Sequence, residues 1–149
     1  MRWRIETGMG VIAPLWHTIA FPASYIIYGN ALMHQSASEY FGTAVADGSY
    51  RGFLAVDSTG KTIGGGGIVI SSWPGILGQR RPQRAMILNM YVDRDHRRRG
   101  VGRALMEAMI TWCRENDFAS VGLHASDEGR GLYEQLGFKP TTEMRLVLT

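Results

Sequence analysis

Between Leu32 and Ala44 apolar side chains recur at three- and four-residue intervals (Leu32, Met33, Ala37, Tyr40, Phe41, Ala44). That spacing predicts a helix over Asn30–Ala46, closed by the turn-forming pair Asp47-Gly48. The pattern then changes. Gly52–Asp57 reads as a strand through Phe53, Leu54, Ala55 and Val56, Ser58-Thr59-Gly60-Lys61 is turn chemistry, and Thr62–Ser72 resumes as a second strand, giving an antiparallel hairpin. The glycine run Gly64–Gly67 inside that second strand signals a bulge or close packing against another part of the backbone. A loop from Trp73 to Gln83 leads into Arg84–Val92, whose apolar run Ala85–Val92 is broken only by Asn89 and predicts a buried strand.

Helical spacing returns over Gly100–Asn116, where Val101, Leu105, Ala108, Met109 and Trp112 form one stripe. Ala119–Ala125 reads as a strand. Ser126 is placed to cap a further helix, with Asp127 and Glu128 complementing its positive end and Gly137 suited to its left-handed close. Met1–Glu6 and Glu143–Leu148 read as an opening and a final strand. Strands alternating with helices behind a hairpin predict an α/β or α+β fold around a mixed sheet, and 149 residues predict a single domain.

The N-terminal third is different. From Thr7 to Ser38 there is no charged side chain, and Val11–Tyr28 is largely apolar. A membrane span needs about 20 mostly apolar residues. This stretch is interrupted by Pro14, His17, Thr18, Pro22 and Ser24, so it reads as two short packed or partner-contacting pieces rather than a span or an export signal. So much apolar surface on a small domain raises self-association, with a homodimer the simplest form. A lone cysteine, Cys113, fits a reducing compartment, and a cytoplasmic location is expected. No cluster has metal-ligand spacing, so no metal is expected.

Charge matters at one place. The formal net charge is only +3, but Arg94–Arg103 concentrates arginine in Asp93-Arg94-Asp95-His96-Arg97-Arg98-Arg99-Gly100-Val101-Gly102-Arg103, where a buried strand passes into an amphipathic helix. Gly100 and Gly102 leave backbone amides unshielded where that helix begins. First-turn amides lack intrahelical partners, the helix dipole adds positive potential, and the arginines strengthen an anion socket suited to a diphosphate. The spacing is neither the dinucleotide-binding pattern, because position 105 is leucine, nor a P-loop, because no Gly-Lys-Ser/Thr follows. Arginines gathered at one helix start, rather than along a stripe, argue against nucleic acid. A solvated basic turn remains the plain alternative.

Arg97-Arg98-Arg99-Gly100-Val101-Gly102 resembles the Arg/Gln-x-x-Gly-x-Gly/Ala signature of the GNAT superfamily of N-acetyltransferases. Leu88–Asp93 before it is similar to that family's acetyl-CoA strand. Leu123-His124-Ala125-Ser126 and Leu132-Tyr133-Glu134-Gln135-Leu136-Gly137-Phe138 are similar to its second motif. The likeness covers Gly52 to the C-terminus, while Met1 to about Gln35 does not look like the family's usual opening.

The resemblance implies a mixed, mostly antiparallel central sheet flanked by helices, with a splay between two central parallel strands. It implies acetyl-CoA as cosubstrate and an amine as acceptor. The pantetheine arm would pair with main chain at Met90, Tyr91 and Val92, as an added strand does. The pyrophosphate would rest on the segment Arg97, Arg98, Arg99, Gly100, Val101, Gly102 and Arg103, with Ser126 either touching the cosubstrate or simply capping its helix. A backbone amide near Met90 would polarise the thioester carbonyl. Tyr133 would be the general acid that protonates the leaving thiolate, against a plain core role on its helix face.

The base is less defined. Where some family members carry a glutamate, this chain has Met86. His124 is one candidate, and Asp127, Glu128 or Asp93 acting through water are others; solvent could also take the proton. Asn89 would either orient the acceptor or hold backbone at the splay, and Trp73 would either line the acceptor cleft or anchor its loop. Because Met86 cannot accept a proton, a non-catalytic module that only binds acyl-CoA stays open beside the enzyme.

Overall fold

The computed structural model describes residues 2–7, 31–75 and 81–147. Most of the uncharged N-terminal stretch, including Pro14 and Pro22, therefore lies outside the described residues. The elements follow in the order β1 (Trp3–Thr7), α1 (Ala31–Ala46), β2 (Tyr50–Asp57), β3 (Thr62–Ser72), β4 (Gln83–Val92), a 3-10 turn (Arg94–His96), α2 (Val101–Glu115), β5 (Val121–Leu123) and α3 (Asp127–Gln135). The strands form one sheet in chain order, β1-β2-β3-β4-β5. Its first three pairings are antiparallel and the last, β4 with β5, is parallel.

The hairpin between β2 and β3 turns on Asp57. Its carboxylate accepts from the Thr59 amide and hydroxyl (2.8 and 2.7 Å) and from the Lys61 amide (3.0 Å), while Gly60 supplies the left-handed residue at φ +88°. The Thr59 hydroxyl is the main reason the Asp57 carboxyl is held below the usual carboxylate range.

Strand alternation sorts side chains onto two faces. One face packs under α2: Phe53, Ala55, Ile63, Ile68, Ala85 and Ile87 meet Val101, Leu105, Met106, Met109 and Cys113. The other face packs under α1, where Tyr50, Leu54 and Val56 meet Phe41, Ala44 and Val45. Burial pushes the Cys113 thiol up to about 11, so it is a small hydrophobe at neutral pH.

The glycine run of β3 is explained by what lies across it. A Cβ at Gly65 would stand 3.2 Å from the Tyr91 ring, one at Gly66 2.6 Å from the Met90 sulfur, and one at Gly67 2.1 Å from the Tyr50 hydroxyl. Real Cβ atoms do not approach so closely, so Gly66 and Gly67 give passage to side chains of the neighbouring strands.

Two expectations change. Residues 143–147 form no strand: no strand among the described residues pairs with them, and Met144, Leu146 and Val147 are exposed. As a result the parallel pair β4–β5 lies at one edge of the described sheet, not at its centre.

Candidate functional site

The ladder between β4 and β5 has only three rungs, Ala85–Val121, Met86–Gly122 and Ile87–Leu123. β4 nevertheless continues to Val92, paired on its other side with β3. From Leu88 onward, then, no strand among the described residues covers that edge of β4. The cause is local. Gly65 faces Tyr91 and Gly67 faces Leu88, so Asn89 and Met90 together oppose the single residue Gly66. This is a β-bulge, and Asn89 adopts the left-handed conformation (φ +57°) that accommodates it. Bulges bend their strand, and the ladder with β5 ends just short of this one, leaving a wedge beyond Ile87–Leu123 with the main chain of β4 on its wall.

Beyond the wedge the chain enters the arginine-rich turn. Arg98 (φ +59°) and Gly100 (φ +84°) are both left-handed, and Gly100 is the N-cap of α2 with no side chain capping the helix. α2 carries no acid in its first turn, and Arg97, Arg98 and Arg99 are exposed beside it. The first-turn amides of Val101, Gly102 and Arg103 thus lack a side-chain cap, at the positive end of a 15-residue helix. Gly102 has room for a Cβ, which would lie in ordinary contact, 3.6 Å from Leu132 and Val92.

Arg97 and Arg103 make contacts that hold the segment in place. Arg97 Nε donates to the Val92 carbonyl at 2.9 Å and so braces the turn against the end of β4. Arg103 donates to Gln135 Oε1 on α3, with Glu107 a distant ion partner at 3.8 Å. Both contacts tie the turn to its neighbours.

On the far side of the wedge, β5 ends at Leu123 and His124 follows, exposed, one register position beyond the last rung. Ser126 then caps α3, its hydroxyl accepting from the Gly129 amide at 3.2 Å. Asp127 and Glu128 occupy the first turn of that helix. Tyr133 is buried at 9% exposure, packed against Phe138 with ring centroids 6.2 Å apart. Burial raises its pKa, so the phenol keeps its proton at neutral pH.

The structure therefore brings Asn89, Met90, Tyr91, Val92, the Arg97–Arg103 segment and His124 to one end of β4, with Tyr133 on the helix that follows β5. It does not bring Trp73 there. The Trp73 amide donates to the Pro82 carbonyl at 3.1 Å, and the Arg84 guanidinium stacks 3.7 Å from its ring centroid. Arg84 precedes Asn89 by roughly 17 Å of strand, at about 3.3 Å per residue. Among the described residues no group of three His, Cys, Asp or Glu side chains could hold a metal ion, and no helix is long and apolar enough to cross a membrane.

Residues 15–138 match the model of the acetyltransferase (GNAT) family. The chain belongs to that family. The match begins inside the N-terminal stretch that looked unlike GNAT proteins. A GCN5-related N-acetyltransferase from Ralstonia eutropha JMP134 is 30% identical, with 99% of each chain covered and a TM-score of 0.81. A predicted acetyltransferase with acetyl-CoA from Clostridium acetobutylicum shares the fold at 19% identity (TM-score 0.83; 99% of this chain and 96% of that chain). Human N-acetyltransferase 8B is 29% identical over 92 residues, which is 60% of this chain but only 39% of that protein. Human N-acetyltransferase 8 is 30% identical over 64 residues, 41% of this chain and 28% of its own length. The chain thus spans less than two-fifths of these curated relatives.

Sequence reasoning missed the buried Tyr50 hydroxyl beside the GNAT wedge. The signal was present in the glycine run, because Gly67 is the residue over which that ring passes.

Proposed function

We propose that this chain transfers the acetyl group of acetyl-CoA to a primary amine of a small-molecule or peptide acceptor, by direct attack in a ternary complex. One observation carries the reading: the β4–β5 ladder stops at Ile87–Leu123 while β4 runs on to an uncapped helix N-terminus. A wedge walled by main chain leads to a cluster of unshielded amides among arginines. That combination fits a long ligand with an amide-bearing arm and a diphosphate, which is the form of coenzyme A. Family membership and the fold shared with an acetyltransferase solved with acetyl-CoA support it.

Acetyl-CoA supplies an acetyl group activated as a thioester. The residues divide the remaining work. The amides of Val101, Gly102 and Arg103, with Arg98 and Arg99 nearby, hold the diphosphate. Met90 and Tyr91 offer main chain to the pantetheine arm; the Val92 carbonyl is shared with Arg97. An amide near Met90 polarises the thioester carbonyl as negative charge develops on its oxygen. The neutral amine attacks the carbonyl carbon, the carbon–sulfur bond breaks, and Tyr133 gives its phenolic proton to the departing sulfur. The amine's surplus proton leaves through His124 or directly to solvent, since Met86 offers no carboxylate. Ser126 serves α3 as its cap.

The test is thiol release from acetyl-CoA across a panel of amines, alongside a thermal-shift titration with acetyl-CoA. The reading expects a rise in melting temperature with ligand and thiol release that requires an amine. A rise without turnover on any amine would favour the non-catalytic acyl-CoA-binding module.

A further inference from the structure

Tyr50 begins β2 and is 4% exposed, packed edge-on against Phe41 with ring centroids 4.8 Å apart. Its hydroxyl is buried with no hydrogen-bond partner among the described residues. Such an orphan is costly in a protein interior and calls for a reason. The ring crosses β3 over Gly67, where any side chain would collide with it. Gly67 faces Leu88 on β4, so the hydroxyl is delivered to the first residues beyond the last β4–β5 rung, where the wedge opens. The next residue, Asn89, is the strained, left-handed member of the bulge. Its side chain lies close enough to the phenol to oppose the rise in pKa that burial imposes, yet short of hydrogen-bonding geometry.

An attacking amine directs its lone pair at the thioester carbon and has only N–H groups left to offer. The protein group that can orient it is therefore an acceptor. The Asn89 carboxamide oxygen has two lone pairs and an ambiguous orientation, because the amide can turn over. The geometry points to Tyr50 as a positioning residue: its hydroxyl oxygen accepts from the Asn89 carboxamide N–H, fixing the amide so that the carboxamide oxygen is left to accept an N–H of the acceptor amine. The inference rests on the acetyl-transfer reading and narrows it to an acceptor that attacks as a neutral amine, oriented by an uncharged pair. The glycine at position 67 follows from it, as does the left-handed asparagine.

The test compares Tyr50→Phe, Asn89→Gly and the double variant, using the best amine of the panel. Glycine tolerates the left-handed backbone at position 89, so the bulge survives the substitution. Tyr50→Phe should lower kcat/KM for the amine roughly tenfold or more, leave the acetyl-CoA KM within about twofold, and leave the melting temperature unchanged or raised, since an unpartnered hydroxyl is removed. Asn89→Gly should lose at least as much, and the double variant no more than Asn89→Gly alone. Unchanged kcat/KM in Tyr50→Phe, multiplicative losses in the double variant, or a loss that follows a fall in melting temperature would overturn the role of Tyr50 while acetyl transfer stands. Absence of amine-dependent thiol release by the unaltered protein would overturn both.

Discussion

α2 and α3 each begin just past the end of one strand of the parallel pair, and their first turns are built in opposite ways. α2 starts at Gly100, with no side-chain cap, no acid in its first turn and three exposed arginines before it. α3 starts at Ser126, whose hydroxyl binds the Gly129 amide, with Asp127 and Glu128 in its first turn. One helix keeps its positive end available to an anion; the other neutralises its own. A helix N-terminus alone therefore does not make an anion site. What distinguishes α2 is a first turn with neither a side-chain cap nor an acid, together with the edge of β4 that leads to it. In the proposed mechanism α3 contributes through Tyr133 instead.

The sharpest way to break this division of labour is at Tyr133. Tyr133→Phe removes the proposed proton donor and should lower kcat by on the order of 1,000-fold, with the dissociation constant for acetyl-CoA within about twofold of the unaltered protein. Because burial raises this phenol above its ordinary 10.0, the unaltered enzyme should hold its alkaline activity up to at least that pH, as far as this group decides it. An alkaline limb with a midpoint well below 10 would count against Tyr133 as the acid.

At α2 the complementary change is Gly102→Asp. It places a carboxylate among the unshielded amides at a position with room for a Cβ. Acetyl-CoA affinity should fall on the order of 100-fold, about 3 kcal/mol, as read by calorimetry. The melting temperature without ligand should stay level or rise, since an acid in the first turn suits the helix. Ionic strength gives a smaller effect of the same origin. Raising salt from about 0.05 to 0.5 M should weaken acetyl-CoA binding several-fold, because Arg98 and Arg99 are exposed. The smallest effect on binding is expected at α3. Ser126→Ala should cost about 1 kcal/mol of stability through the lost cap and leave acetyl-CoA affinity within about twofold. A large loss of affinity there would erase the contrast between the two helices.

Much of this was legible in the chain. Local periodicity located α1, α2 and the β2–β3 hairpin, because each buries a stripe or face that its own residues define. The left-handed Gly100 at the start of α2 was legible through motif, since a turn into a helix without a side-chain cap suits glycine there. Residues 143–147 show the limit: their apolar pattern suits a strand, but a strand forms only where a partner supplies hydrogen bonds. Trp73 shows another. Sequence cannot say which end of β4 a loop occupies, and its stacking with Arg84 places it at the end away from the bulge. Tyr50 was missed because it meets Asn89 only by passing over the intervening strand β3, a relation that neither segment displays alone.

The central claim, that a diphosphate seats on the amides of α2 and its arm runs along the open edge of β4, is tested most directly by an amide-resolved NMR titration with coenzyme A. Saturating shifts should concentrate at Val101, Gly102 and Arg103 and at Met90–Val92, with Gly129 and Arg130 at the start of α3 little moved. Shifts centred on Gly129 and Arg130, or none at Gly102 at saturating ligand, would contradict it.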